Sequence, residues 1–289
     1  MAKLKIEQLL KLVVQKNASD LHIGTEIAPI IRIDEKLVKT DVEVLSKQAA
    51  KEVIYSMLSE QQIKEFEKEL ELDFSLEVAG LGRFRANIFM QRDVLGCSIR
   101  AIPFEIMSFE ECGLPVETVK SLCEKPKGLV LITGATGSGK STTLASMIDY
   151  INDRTECHVV TIEDPIEFVH KNKKALIDQR EVYHDTHSFS NALKHVLRQD
   201  PDVILIGEMR DLDTVETALI CAETGHLVFA TLHTSDSVQT INRIIDVFPS
   251  HQQPQIRTQL SFVLISVISQ QLIPKVGGKG RVLATEVLI

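Results

Sequence analysis

The sequence predicts an α/β fold: a domain with a mostly parallel sheet, preceded by a smaller α+β domain. Three observations support this. The 289 residues exceed what one compact core usually organises. From Gly128 onward, apolar runs at 129–133, 159–162, 203–206 and 227–231 alternate with longer helical patterns, the texture of a parallel sheet covered on both faces. Ahead of Pro103 the texture differs, with short helices mixed among alternating strands.

Each element follows from local pattern. Ile6, Leu9, Leu10 and Val13 recur at helical spacing, and residues 17–20 end that helix before a strand at 21–23. Residues 30–33 and 37–38 read as strands around an Asp34-Glu35 turn. Ser46 caps a helix running to residue 57, and 61–70 forms another. Residues 74–78, 82–89 and 94–102 form a strand meander, and the charge run at 64–73 reads as a solvated helix face. Pro103, Gly113 and Pro115 break the periodicity, which places an amino-terminal domain at 1–103, a linker at 104–118 and the second domain at 119–289. Within the second domain, 167–170 and 175–179 flank Lys171-Asn172-Lys173-Lys174 as a hairpin projecting from the sheet.

Composition excludes several classes. At 44% hydrophobic and 25% charged, the chain is neither disordered nor a fibre. A net charge of −8, no Trp and three Tyr leave no basic, aromatic track for nucleic acid. Cys97, Cys112, Cys123, Cys157 and Cys221 are odd in number and lack a CxxC pair, which fits reduced thiols in a cytosolic protein rather than zinc ligands or a redox dithiol. Residues 1–23 lack the apolar core and cleavage site of an export signal. The apolar stretch 262–273 is interrupted by Ser266, Ser269, Gln270 and Gln271, and a span needs roughly 20 apolar residues, so any membrane link is expected through partners.

The strongest chemical signal is Gly134, Ala135, Thr136, Gly137, Ser138, Gly139, Lys140 and Ser141, a GxxxxGKS phosphate loop between a predicted strand and a predicted helix, with Thr142 following. Glycines let the backbone curl so that N–H groups and the positive helix end surround phosphates. Lys140 is expected to reach the β and γ phosphates, and the Ser141 hydroxyl to ligate Mg²⁺.

Acidic residues at strand ends supply the rest. Glu208 closes the apolar run 203–206, at the strand end that faces the ligand crevice of a parallel sheet, where it can order or deprotonate the attacking water. Glu163, Asp164 and Glu167 form a second acidic cluster at another strand end, and their charge is suited to Mg²⁺. Which of Glu163 and Glu208 deprotonates water is left open, since coupled carboxylates share such roles. No NKxD base-reading motif is present, which favours ATP. His226 and His233 bracket a strand and stand too far apart to share one metal; His233, at the carboxyl end, is placed to sense the γ phosphate.

Together the phosphate loop, TIEDPIEF at 161–168, LRQDPDVILIGEMRD at 197–211 and TGHLVFATLHT at 224–234 resemble the type II/IV secretion and pilus ATPase superfamily. ASDLHI at 18–23 and GRFRANIF at 82–89 extend the resemblance over nearly the whole chain. GEMRD at 207–211 and NRIIDVFP at 242–249 look like the retraction branch, and the paired-CxxC insertion typical of assembly and type II secretion ATPases is absent. The resemblance implies a PAS-like amino-terminal domain, a RecA-like P-loop ATPase domain and ATP bound between them. It also implies a homo-hexameric, Mg²⁺-dependent motor that drives type IV pilus retraction and twitching motility. Such a motor is cytoplasmic, lies at the inner face of the cytoplasmic membrane without inserting, and works on the inner-membrane pilus platform protein and related components, not on nucleic acid.

The family's acidic box, Walker B glutamate and His box fall on 163–167, Glu208 and 226–233. The resemblance thereby implies catalytic roles for Lys140, Glu163, Glu208 and His233, nucleotide contact at His226, and Mg²⁺ ligands among Ser141, Glu163, Asp164, Glu167 and Glu208. Family arginines that approach the phosphates match Arg83, Arg85 and Arg100, of which Arg85 and Arg100 are favoured. The alternatives are an extension or type II secretion ATPase, a RecA-like nucleic-acid translocase, and a non-hydrolysing ring subunit, which intact Lys140, Glu163 and Glu208 disfavour. Relatives usually continue into helices carrying an AIRNLIRE-type segment, whereas this sequence stops at Ile289: either it is truncated or the segment is missing, ATP binding is expected in both cases, and retraction competence is the property that a missing segment would put at stake.

Overall fold

The computed structural model describes residues 4–33, 36–102, 106–277 and 280–289; the turn expected at 34–35 lies outside them. The chain divides into two compact units, Met1–Phe104 and Glu105–Ile289.

The first unit contains α1 (Ile6–Gln15), β1 (Asp20–Ile23), β2 (Ile30–Ile33), β3 (Lys36–Lys39), α2 (Lys47–Tyr55), α3 (Glu60–Glu69), β4 (Glu71–Val78), β5 (Gly82–Gln91) and β6 (Val94–Ala101). Its helices form where the pattern demands them. Ile6, Leu9, Leu10 and Val13 make one buried stripe on α1, and Ser46 caps α2 by accepting a hydrogen bond from the Ala49 N–H. Within the charge run, α3 buries Phe66. The six strands make an antiparallel sheet in the order β3-β2-β1-β6-β5-β4. Alternation sends Leu21, Phe74, Phe84, Ala86, Ile88, Cys97 and Ile99 into the core and turns Asp20, Arg85 and Arg100 to the other face.

The second unit contains α4 (Phe109–Cys112), α5 (Val116–Cys123), β7 (Gly128–Thr133), α6 (Lys140–Arg154), β8 (His158–Glu163), β9 (Leu176–Glu181), α7 (Phe189–Val196), β10 (Val203–Ile206), α8 (Leu212–Glu223), β11 (Leu227–Leu232), α9 (Ser237–Asp246), α10 (Gln253–Val263), β12 (Leu264–Pro274) and β13 (Arg281–Leu288). The sheet order is β13-β12-β7-β11-β10-β8-β9, parallel except for the β13 edge. Every residue of β7, β10 and β11 is buried, because two apolar layers cover the sheet. One layer brings α7, α8, α9 and α10 against Leu129, Leu131 and Ile204; the other brings α4, α5 and α6 against Val130, Ile132 and Phe229.

Several elements differ from the sequence reading. The Pro and Gly between 113 and 115 punctuate two short helices: Gly113 ends α4 in the left-handed conformation, and Pro115 precedes α5. Residues 237–288, which local pattern left unassigned, form α9, α10, β12 and β13, and the apolar stretch 262–273 is the end of a helix followed by a strand. Among the described residues no helix is long and apolar enough to cross a membrane.

The projecting hairpin is corrected: β9 pairs parallel to β8, so the intervening chain must cross back, and it does so against α6. Asn152, fully buried, donates from Nδ2 to the Lys171 carbonyl (2.8 Å) and accepts the Lys173 N–H on Oδ1 (3.0 Å). Lys173 then pairs with Asp149 (2.7 Å) and Asp153 (2.9 Å) on the same helix. Asn152→Ala removes the partner of two part-buried backbone groups, and we expect a loss of about 1 kcal/mol in denaturant unfolding, with faster tryptic cleavage at Lys171, Lys173 or Lys174.

Candidate active site

Residues 134–139 connect β7 to α6 at the carboxyl edge of the parallel sheet. Gly134 has φ 142°, and a β-carbon there would lie 2.3 Å from the Gln270 carbonyl oxygen and 2.6 Å from Ser138 Oγ, so only glycine fits. Gly139 occupies the N-cap of α6 with φ 92° and offers no side-chain cap, so the first N–H groups of the helix keep their positive end for an anion. Lys140 is 9% exposed and its ammonium donates to the carbonyls of Gly134 (2.8 Å) and Ala135 (3.1 Å). Burial pulls its pKa below the ordinary lysine value, against the opposing charges of Glu208 and Glu167.

The loop borders a cavity of about 400 Å³ lined by residues 134–138 together with Ser235, Gln270, Gln271, Leu272 and Arg281. Among the described residues, the buried Ser138 Oγ and Gln270 Oε1 lack hydrogen-bond partners, so the wall retains polar capacity for a ligand. Local motifs miss this wall. It exists because β12 pairs with β7, where Thr133 Oγ1 donates to Ser269 Oγ (2.9 Å), and because Gln270 Nε2 donates to Thr143 Oγ1 on α6 (2.7 Å).

Sheet order gathers the acids on the same edge. Glu208 follows β10 and His233 follows the adjacent β11, which itself lies next to β7. Glu208 is bound on both oxygens, by Arg210 Nε at 2.7 Å and by His233 Nε2 at 3.2 Å. Burial pushes its carboxyl up, but the hydrogen bonds and charges of Arg210 and His233 prevail and hold it below the usual range. Arg210, two residues beyond the Walker B position, is a site member that the motif reading did not single out.

Glu163, at the end of β8, has a different environment. Its Oε1 accepts from Thr161 Oγ1 (2.6 Å) and Gln179 Nε2 (3.1 Å), and no ion pair joins it among the described residues. Burial pushes the Glu163 carboxyl up to about 7; hydrogen bonds from Thr161, Gln179 and the Glu167 N–H oppose this, and the charge of Glu167 adds to it. Asp164 and Glu167 are exposed in the loop beyond. Ser141 and Thr142 stand half-buried in the first turn of α6.

Within the second unit, one expected site residue lies apart from this edge. His226 precedes β11 at the opposite, amino-terminal edge of the sheet, roughly 20 Å away at 3.3 Å per residue. The nucleotide contact expected of His226 thus has no counterpart at the loop edge of this unit. The His226 ring is engaged by the Cys221 carbonyl (2.9 Å), and its own carbonyl accepts the Gly128 N–H, so it serves the α8–β11 turn. Arg85 and Arg100 belong to the first unit, on neighbouring strands of its sheet.

The raised pKa of Glu163 has a sign that can be checked. Between about 4.5 and about 7 the folded chain keeps a proton that the unfolded chain has released, so this group's contribution to stability falls as pH rises through that window. Without nucleotide or divalent cation, Glu163→Gln should melt higher than the parent near pH ~8, and the difference should shrink toward zero near pH ~5 in thermal scans.

The chain matches the family described as type II/IV secretion system protein over residues 2–287. A Pseudomonas aeruginosa protein named type IV pilus retractation ATPase PilT is 50% identical over 284 residues, covering 98% of this chain and 82% of that protein. A Neisseria gonorrhoeae twitching motility protein is 47% identical over 276 residues, covering 96% of this chain and 73% of its own length. The crystal structure of the pilus retraction motor PilT with bound ADP superposes with a TM-score of 0.95 at 51% identity, covering 99% of this chain and 83% of that one. The phosphate loop, strand-end carboxylates and α/β architecture agree with these matches, and the chain belongs to the type II/IV secretion system protein family.

Proposed function

We propose that the chain is an ATPase motor that hydrolyses ATP with Mg²⁺, assembles as a homo-hexamer and drives type IV pilus retraction. It works at the inner face of the cytoplasmic membrane on the platform protein of the pilus machine. The observation that carries this reading is the convergence of an amide-lined loop, two carboxylates in contrasting environments and a histidine on one sheet edge. The names of the two relatives, a pilus retraction ATPase and a twitching motility protein, support retraction as the work done. The ADP in the PilT crystal structure supports nucleotide binding at the loop.

In this mechanism the amides of residues 134–142 receive the phosphate oxygens, and Lys140 exchanges the loop carbonyls for β and γ phosphate oxygens. No group of three or more His, Cys, Asp or Glu side chains among the described residues is arranged to hold a metal by itself. That suits Mg²⁺, which is usually bound by one or two carboxylates together with substrate phosphates and waters. Ser141 and Glu163 would hold it, with Asp164 and Glu167 adding negative charge nearby; Glu163, half-buried and bonded only by neutral donors, has the most to gain. When bound, Mg²⁺ neutralises charge on the transferred phosphoryl group. Glu208 takes the proton of the attacking water, and His233, bonded to it, senses the departure of the γ phosphate. Arg85 and Arg100 stabilise the charge that develops on that phosphate.

Lys140→Ala should abolish turnover, and Glu208→Gln should lower kcat roughly 10²- to 10⁴-fold, both with an unchanged circular dichroism spectrum. EDTA should stop hydrolysis and excess Mg²⁺ restore it. Parental turnover by both variants would refute the mechanism. Deletion of the gene should leave cells piliated but unable to twitch, whereas bald cells would argue for extension.

A further inference from the structure

Among the described residues that line the cavity beside the phosphate loop, Arg281 alone is charged. Strand register explains how it comes to be there. Gln270, Leu272 and Pro274 alternate onto one face of β12, and Arg281 on β13 is the direct cross-strand partner of Pro274, so it stands on that same face. The face looks toward α6. Ile268, which precedes Gln270 on it, shares an apolar layer with Leu144 and Ile148 of that helix, and Gln270 Nε2 donates to Thr143 Oγ1 at 2.7 Å.

The phosphate loop runs from β7 to α6 alongside this row. The Gln270 carbonyl presses on Gly134, and a β-carbon on Gly139 would lie 4.0 Å from Leu272 Cδ1, so the row meets the first glycine of the loop and the last. Arg281, exposed, comes next in it. No described acid lines the cavity, and Arg281 has no carboxylate partner among the described residues. What faces the space instead is a set of donors: the backbone of residues 134–138 on one side and a guanidinium on the other. The wall between them is built rather than incidental. Ser138 and Gln270 are 5% and 4% exposed, both line the cavity, and each keeps a buried side-chain oxygen without a partner among the described residues, where buried polar atoms are ordinarily paired.

We propose that Arg281 is a nucleotide-binding residue: from the β12–β13 hairpin its guanidinium fork takes oxygens of the phosphate chain that the loop amides hold from the other side. This rests on nucleotide binding at the loop, as proposed above. An arginine fork matches two phosphate oxygens at once, and it supplies a full positive charge where backbone amides supply only partial ones. The second unit thereby closes its phosphate site with a residue from the opposite end of its own sequence.

The test measures dissociation constants on the full chain with Mg²⁺ present, for a non-hydrolysable ATP analogue and, by competition, for inorganic tripolyphosphate, in the parent, Arg281→Gln, Arg281→Glu and Lys275→Gln. Arg281→Gln should weaken the analogue and tripolyphosphate by the same factor, about tenfold, and Arg281→Glu should weaken both further, each with a parental circular dichroism spectrum. Lys275 follows Pro274 on the same hairpin but does not line the cavity, so Lys275→Gln should bind as the parent does. Parental affinity in both Arg281 variants would overturn the proposal, as would an equal loss in Lys275→Gln, which would mark a diffuse field of charge. A loss confined to the analogue, whether tripolyphosphate binds the variants unchanged or fails to compete in the parent, would overturn the phosphate contact. A parent that binds neither probe would refute nucleotide binding itself, whereas tight binding by the parent with unaltered variants would remove only Arg281 from the site.

Discussion

The phosphate loop is shaped by a contact that leaves no room for a side chain, the 2.3 Å between the position of a Gly134 β-carbon and the carbonyl of Gln270. A loop of this composition in isolation would sample many curls. Here β12 presses its backbone against the first glycine, ties Ser269 to Thr133 just before the loop and ties Gln270 to Thr143 just after it. The curl is therefore pinned at entry, at its tightest point and in the first turn of α6. The amides and the uncapped helix end are set before any anion arrives, which is the condition under which backbone donors stabilise developing charge most effectively.

The two principal carboxylates gain distinct characters from the same sheet edge. Glu208 lies between a guanidinium and an imidazole and stays ionised, whereas Glu163 is bonded by a hydroxyl and an amide, with no counter-charge among the described residues, and its carboxyl rises to about 7. Groups pushed apart in this way are suited to different tasks. An ionised, doubly oriented Glu208 suits the handling of water. A half-buried Glu163 bonded only by neutral donors suits a divalent ion that would bring it back to full charge. Strand order underlies the contrast: β10 lies between β11, which brings His233, and β8, which carries Glu163.

The amino-terminal sheet uses alternation for a different end. Its inward residues build a core with α1, α2 and α3, and the same two-residue period leaves a polar outer face on which register decides who stands beside whom. Arg85 and Arg100, fifteen positions apart in the chain, become neighbours because β5 and β6 form a hairpin. Asp20 reaches Arg100 because β1 inserts beside β6.

Local chemistry made much of this legible in advance. A GxxxxGKS run between an apolar strand and a helix specifies a strand, a curl and a helix within about twenty residues. Glu163 and Glu208 could likewise be identified because each directly follows a short apolar run. The family resemblance drew on these same local signatures. What no local pattern carries is pairing between distant segments. The position of β12 beside β7 brings Ser269, Gln270 and Arg281 to the loop; the parallel return of β9 onto β8 lays residues 171–174 on α6 instead of projecting them; and the direction of β11 leaves His226 at the edge opposite His233. Spacing along a chain encodes backbone conformation and the face on which a side chain lies. Which strands become neighbours is decided by burying apolar faces and satisfying backbone hydrogen bonds across the whole domain, and that balance exists only in the folded structure.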